Sequence, residues 1–129
     1  MFTYSSQVYN TRLLTCRAII ALNKKIVKKS GGMIGIISSE RIEEILSEMK
    51  KEESDLLLQA SVLMCETITK QPFADGNRRT AYEAAKAFLN INGIDLITSD
   101  DEIEIVVDKI LADMMNREEL KEWFKRHVR

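Results

Sequence analysis

The chain has 129 residues, 45% of them hydrophobic and 30% charged, a balance that argues against disorder and fits one domain over residues 1–129 with a single core. Nineteen basic residues against twenty acidic ones leave a net charge of −1. General binding to nucleic acid or an anionic membrane surface is therefore not expected, and any phosphate recognition must be local.

Helical periodicity dominates the chain. The first helix is expected over Val8–Lys29, with Leu14, Ala18, Ala21 and Leu22 down one face, stopping before Ser30-Gly31-Gly32. The stretch GGMIGIIS that follows is too short and glycine-rich for a helix and reads as an extended loop or hairpin. Ser39 is the expected cap of a second helix, Glu40–Lys51, which spaces Ile42, Ile45, Leu46 and Met49 for one face. Ser54 and Asp55 open the third, Leu56–Thr69, apolar nearly all round and so expected to be the buried central helix.

A fourth helix begins at Asn77, carries Ala81, Ala84, Ala85, Phe88 and Leu89 for close packing, and ends at Asn92-Gly93. Ile94–Thr98 alternates like a short strand, yet the sequence offers no second strand to pair with it. Ser99 with Glu102, then Asn116 with Glu119, form two capping boxes ahead of apolar helical runs. The expected architecture is all-α: a compact bundle of about six helices with a short extended flap. Cys16 and Cys65 fall among apolar helical residues and read as reduced core thiols. The opening MFTYSSQVYNTRLL lacks a signal-peptide core, and no run approaches the ~20 residues of a membrane span. The chain reads as cytoplasmic.

The chemistry concentrates between the third and fourth helices, in QPFADGNRR (71–79). Arg78 and Arg79 occupy the first turn of a helix, where the partial positive charge makes each cation cost roughly 0.3–1 kcal/mol unless an anion sits opposite. Asp75 offers a carboxylate to a metal ion, Gly76 clears the backbone for a ligand's oxygens, and Asn77 can cap the helix. Together with the two guanidinium groups the set suits a magnesium–nucleotide polyphosphate. The same residues also make a common turn, and surface arginines often pair with acids such as Glu83. Residue chemistry alone leaves both readings open.

The stretch resembles the signature H-P-F-x-D/E-G-N-G/K-R of the Fic/Doc (Fido) superfamily, with Pro72, Phe73, Asp75, Gly76, Asn77 and Arg79 matching in order. Arg78 stands where Doc proteins carry lysine and Fic proteins glycine, and Tyr82 stands where the longer Fic pattern has a second arginine. RTAYEAAKAFLNING is likewise similar to the Doc pattern, and SGGMIGI to the Doc G-G-x-x-G segment. The resemblance covers roughly Thr11 to the end. It implies a fold whose loop binds ATP and Mg²⁺ and a chemistry that moves part of ATP onto a protein hydroxyl. Fic proteins transfer AMP, while Doc toxins phosphorylate elongation factor Tu and are neutralised by the antitoxin Phd.

By position, the resemblance makes Asp75 the metal ligand, Gly76 and Asn77 the anion hole, and Arg78 and Arg79 the phosphate holders. Gly32, Met33, Ile34 and Gly35 form the flap for a protein target or a Phd-like antitoxin. Gln71 stands in place of the family's general-base histidine, and Asn77 and Arg79 complete the catalytic set. Asn23 replaces a histidine common in the first Doc helix, and GIIS lacks an arginine often seen there. Glutamine holds no proton near neutrality, and losing such a base forfeits a factor of ~10²–10⁴. His127 is expected at a surface or helix end, and Glu66 and Glu83, the other candidate bases, read as helix-surface charges. The expectation is thus a Doc-like toxin-family protein, impaired or inactive in phosphoryl or AMP transfer. The alternative is a non-catalytic nucleotide- and partner-binding protein or interaction module. Oligomeric state is left open, a homo-oligomer included.

Overall fold

In the computed structural model, which describes residues 11–129, six helices follow one another: α1 Cys16–Ser30, α2 Ser39–Lys50, α3 Leu56–Lys70, α4 Asn77–Ile91, α5 Asp100–Leu111 and α6 Arg117–Lys125. The all-α expectation holds, since pairing outside the helices amounts to two isolated antiparallel bridges among the described residues. As its composition dictates, α3 is the axis. Ten of its 15 residues are buried, and it packs against α2, α4, α5 and α6.

Asp55 caps α3 by accepting a hydrogen bond from the Leu58 N–H at 3.0 Å. The alanines of α4 let its backbone approach α3 closely, and Ala81, Ala84 and Ala85 are fully buried there. Phe88 and Leu89 complete that seam.

Two boundaries and one buried face differ from the sequence expectation. Helix α1 starts at Cys16, where Thr15 Oγ1 accepts from the Ala18 N–H, and residues 11–15 are not helical. The expected start at Val8 lies outside the described residues. The buried face of α1 is Ile19, Asn23 and Val27, whereas Ala18 and Ala21 are exposed. The i, i+4 row of larger side chains removes more apolar surface from water than the alanines could. The cap of α2 is Ser38, one residue early, because its backbone is extended and its Oγ accepts from the Arg41 N–H.

The extended segment after α4 does find a partner. Asp95 and Arg129 exchange backbone hydrogen bonds (3.3 and 2.9 Å), and the Ile97 N–H donates to the His127 carbonyl at 2.7 Å. Three residues, His127-Val128-Arg129, are too few to show a strand period, so no local pattern signals this pairing. The same tail locks α5. His127 Nε2 lies 2.9 Å from Glu102 Oε2, its Nδ1 lies 2.7 Å from the Trp123 carbonyl, and its ring stacks on Trp123. Glu102 also closes the predicted capping box by accepting from the Ser99 N–H.

Those hydrogen bonds, the Ser99 backbone N–H first and His127 second, hold the Glu102 carboxyl below its usual range. A depressed carboxylate stabilises the fold above its unfolded pKa, and that contribution is lost as pH falls through the lower folded-state value. Thermal unfolding followed from neutral pH down past about 4.3, the ordinary glutamate value, should therefore show a declining acid limb. Glu102→Gln should be less steep in that window than the wild type.

Candidate functional site

The α3–α4 connection is built from both ends. Helix α3 ends at Gln71, whose left-handed backbone (φ 46°) donates its N–H to the Thr67 carbonyl. Such a conformation in a non-glycine residue costs of order 1–3 kcal/mol. Two contacts hold it: Arg41 Nη1 donates to the Lys70 and Gln71 carbonyls at 3.0 and 3.3 Å, and Pro72, buried, allows no further helix. The Gln71 residue itself is exposed. Phe73 is 1% exposed and plugs the core beneath the loop, as expected.

Asn77 does not cap α4. Its Oδ1 accepts from the Phe73 N–H at 3.0 Å and its Nδ2 donates to the Phe73 carbonyl at 2.9 Å. One amide thus closes the loop on itself with one bond from each of its polar atoms, and Asn77 is the first helical residue rather than the cap. The N-cap is Gly76, left-handed at φ 74°, with no side chain to offer. The other five helices all receive a side-chain cap, so α4 alone presents its first N–H groups uncapped.

Glycine is required at position 76 for space as well as dihedral. A Cβ there would lie 2.7 Å from Val27 Cγ2. Beneath the loop, Asn23 Nδ2 donates to the Asp75 carbonyl (2.9 Å) and to Thr80 Oγ1 (3.0 Å). Asn23 and Thr80 are both buried. The sequence reading noted Asn23 only as a departure from a pattern. The signal for more was an amide within the i, i+4 row Ile19–Asn23–Val27. Arg41 carried no such signal, lying 30 residues from the Gln71 carbonyl it serves.

The flap is stitched to the loop rather than free. The Ile37 and Ser38 N–H groups donate to the Pro72 carbonyl, and the Ala74 N–H donates to Gly35 at 2.9 Å. Asp75 Oδ1 accepts from the Gly76 N–H at 2.8 Å, and its Oδ2 accepts a longer bond from Met33 at 3.3 Å. Gly32 makes that approach possible, because a Cβ on it would sit 2.3 Å from Asp75 Oδ2. Met33 (71%), Ile34 (50%) and Ile37 (59%) stand exposed along the outer edge.

Both arginines already have carboxylate neighbours. Arg78 Nη2 is 3.1 Å from Asp108 Oδ1, and Arg79 reaches Glu83 (Nε, 3.2 Å) and Asp100 (Nη1, 3.1 Å). The Asp108 and Asp100 pairs are solvent-exposed and worth about 0–1 kcal/mol each, so an arriving polyanion can displace them. Among the described residues no three His, Cys, Asp or Glu side chains gather as a metal site. Asp75 alone therefore fits a cation that arrives on phosphate, because Mg²⁺ commonly takes one or two carboxylates and completes its shell with phosphate and water.

The other candidates lie elsewhere. Glu66 pairs with Arg117 at 3.0 Å, half-buried, and His127 belongs to the α5–α6 corner. Cys16 and Cys65 are free thiols, half-buried at the core's edge. Burial pushes the Cys65 thiol up to about 12 and also raises Cys16, which leaves both without thiolate character at neutral pH. No helix among the described residues is long and apolar enough to cross a membrane.

Comparison with known proteins places this site in a family. The model described as the Fic/DOC family matches residues 13–89, from the residues before α1 through most of α4. The chain belongs to that family. It is also 27% identical over 101 residues to the protein kinase doc of Escherichia phage P1, a match covering 74% of this chain and 80% of that protein.

Removing the amide beneath the loop should loosen the site before it unfolds the chain. Asn23→Ala would strand the buried Thr80 hydroxyl and the Asp75 carbonyl, at a cost of about 1–3 kcal/mol. Urea titration should show that loss. Amide exchange should rise most from Asp75 to Arg79.

Proposed function

We propose that this Fic/DOC-family chain is a Doc-like, toxin-type protein that binds ATP with Mg²⁺ at the α3–α4 loop and directs part of the nucleotide onto a protein hydroxyl. The observation that carries this reading is the start of α4: a left-handed glycine in place of a capping side chain, with Asp75 and two arginines around it. The N–H groups of Asn77, Arg78 and Arg79 are donors of the kind that receive phosphate oxygens. Arg78 and Arg79 exchange exposed carboxylates for those oxygens, and Asp75 holds the cation. A magnesium ion held by Asp75 would supply charge neutralisation to the phosphates.

The matched relative's name, a protein kinase, favours phosphoryl over AMP transfer. Exposed Met33 and Ile34, beside the loop, suit an extended target segment or an antitoxin of the Phd kind. Gln71 stands before Pro72, the position of the family's general-base histidine. Its amide orients a hydroxyl by donating and accepting hydrogen bonds, yet it stores no proton near neutrality. Phosphoryl transfer relies mainly on positioning and charge stabilisation, so slow turnover survives this substitution. The exposed, non-titrating Gln71 also supports a second reading, in which nucleotide and partner bind without turnover.

Calorimetry with millimolar ATP and Mg²⁺ should give a binding isotherm that Arg79→Ala abolishes; a flat wild-type trace would leave only a decorated turn. With labelled ATP and a lysate of the source organism as target pool, Gln71→His should transfer label about tenfold or more faster than wild type. Equal rates would mean that glutamine suffices. Wild type without label beside an active Gln71→His variant is the outcome of the second reading.

A further inference from the structure

Net charge hides a sharp polarity across the candidate site. Helix α1 carries Arg17, Lys24, Lys25, Lys28 and Lys29 and not one acid. On the other side, α5 brings Asp108 against Arg78 and Asp100 against Arg79. A chain of phosphates leaving the start of α4 therefore meets carboxylates in the direction of α5 and cations in the direction of α1.

The α1 side also has room. A cavity of about 440 Å³ opens between α1 and α4, with Leu22 and Ile26 as its apolar part and Lys25, Lys29, Arg79 and Glu83 as its charged wall. That volume is within the range of small-molecule sites. It adjoins the loop, since Ile26 Cγ2 lies 3.8 Å from where a Cβ on Gly76 would project. Glu83 is engaged by Arg79 Nε at 3.2 Å. Among the described residues neither Lys25 nor Lys29 has an ion-pair partner, although both are exposed. Three cations against one carboxylate leave this cavity positive in a chain whose overall charge is −1.

We infer that the α1–α4 cavity holds the phosphates of a nucleoside triphosphate that lie beyond the one seated at the start of α4, with Lys25, Lys29 and Arg79 as their counter-charges. The inference rests on the nucleotide reading above and adds to it a direction: the polyphosphate runs along α1, away from α5. Lys25 and Lys29 are one turn apart on a single face, so their ammonium groups can address successive phosphates. Lys24 and Lys28, equal in charge and on the same helix, do not line the cavity.

The test is calorimetry of the full chain with Mg²⁺ and three probes: ATP, inorganic tripolyphosphate and AMP. The double variant Lys25→Gln/Lys29→Gln should bind ATP and tripolyphosphate about tenfold more weakly, the equivalent of about 1.4 kcal/mol. It should bind AMP within about twofold of wild type, and the loss should shrink as salt is raised. The charge-matched control Lys24→Gln/Lys28→Gln should bind all three as wild type does. A general loss of fold would weaken all three probes alike, whereas an outer-phosphate site weakens two. If the cavity variant binds ATP as tightly as wild type, or the control loses as much, the assignment is overturned while the nucleotide site stands. If wild type binds no probe, both fall together.

Discussion

One amide governs this protein's working end. Asn77 spends both of its polar atoms on the backbone of Phe73, and so closes a tight ring of loop at the mouth of α4. Asn77 is the first residue of α4, and because the N-cap is glycine, no side chain caps the helix. Phe73, driven into the core by its burial, anchors the ring from below. Asn23 fixes it to α1 from the side.

The electrostatics follow from that geometry. A helix start with two arginines is locally unfavourable, and the fold moderates it with carboxylates borrowed from α5 and from Glu83. The α5 pairs are largely open to solvent, so they neutralise charge without committing the guanidinium groups. The arrangement keeps two cations in place and available. The flap contributes in the same spirit, since its backbone is tied to the loop while its apolar side chains remain outside.

Gln71 is the point at which structure and chemistry pull apart. Its backbone conformation is held by Arg41 and followed by Pro72, so the position is well made. Its side chain has no acid–base capacity near neutrality. In the function proposed above, the phosphate-facing residues and the residue that would handle a target's proton are therefore different residues.

The sequence by itself determined the elements and singled out the candidate site. Helix-forming periodicity, two capping boxes, a largely apolar α3 and the run from Pro72 to Arg79 are local patterns, and local patterns survive without knowledge of the fold. Tertiary structure alone decided how those residues are used. Whether Asn77 caps a helix or clasps Phe73 depends on where the Phe73 backbone lies. Whether Asn23 matters depends on Asp75 and Thr80, 52 and 57 residues away. The tail pairing, the Arg41 brace and the division of α1 and α5 into basic and acidic flanks also arise from distant segments meeting. Hydrogen bonds and ion pairs act over a few ångströms, and sequence distance carries no information about which polar groups will come that close.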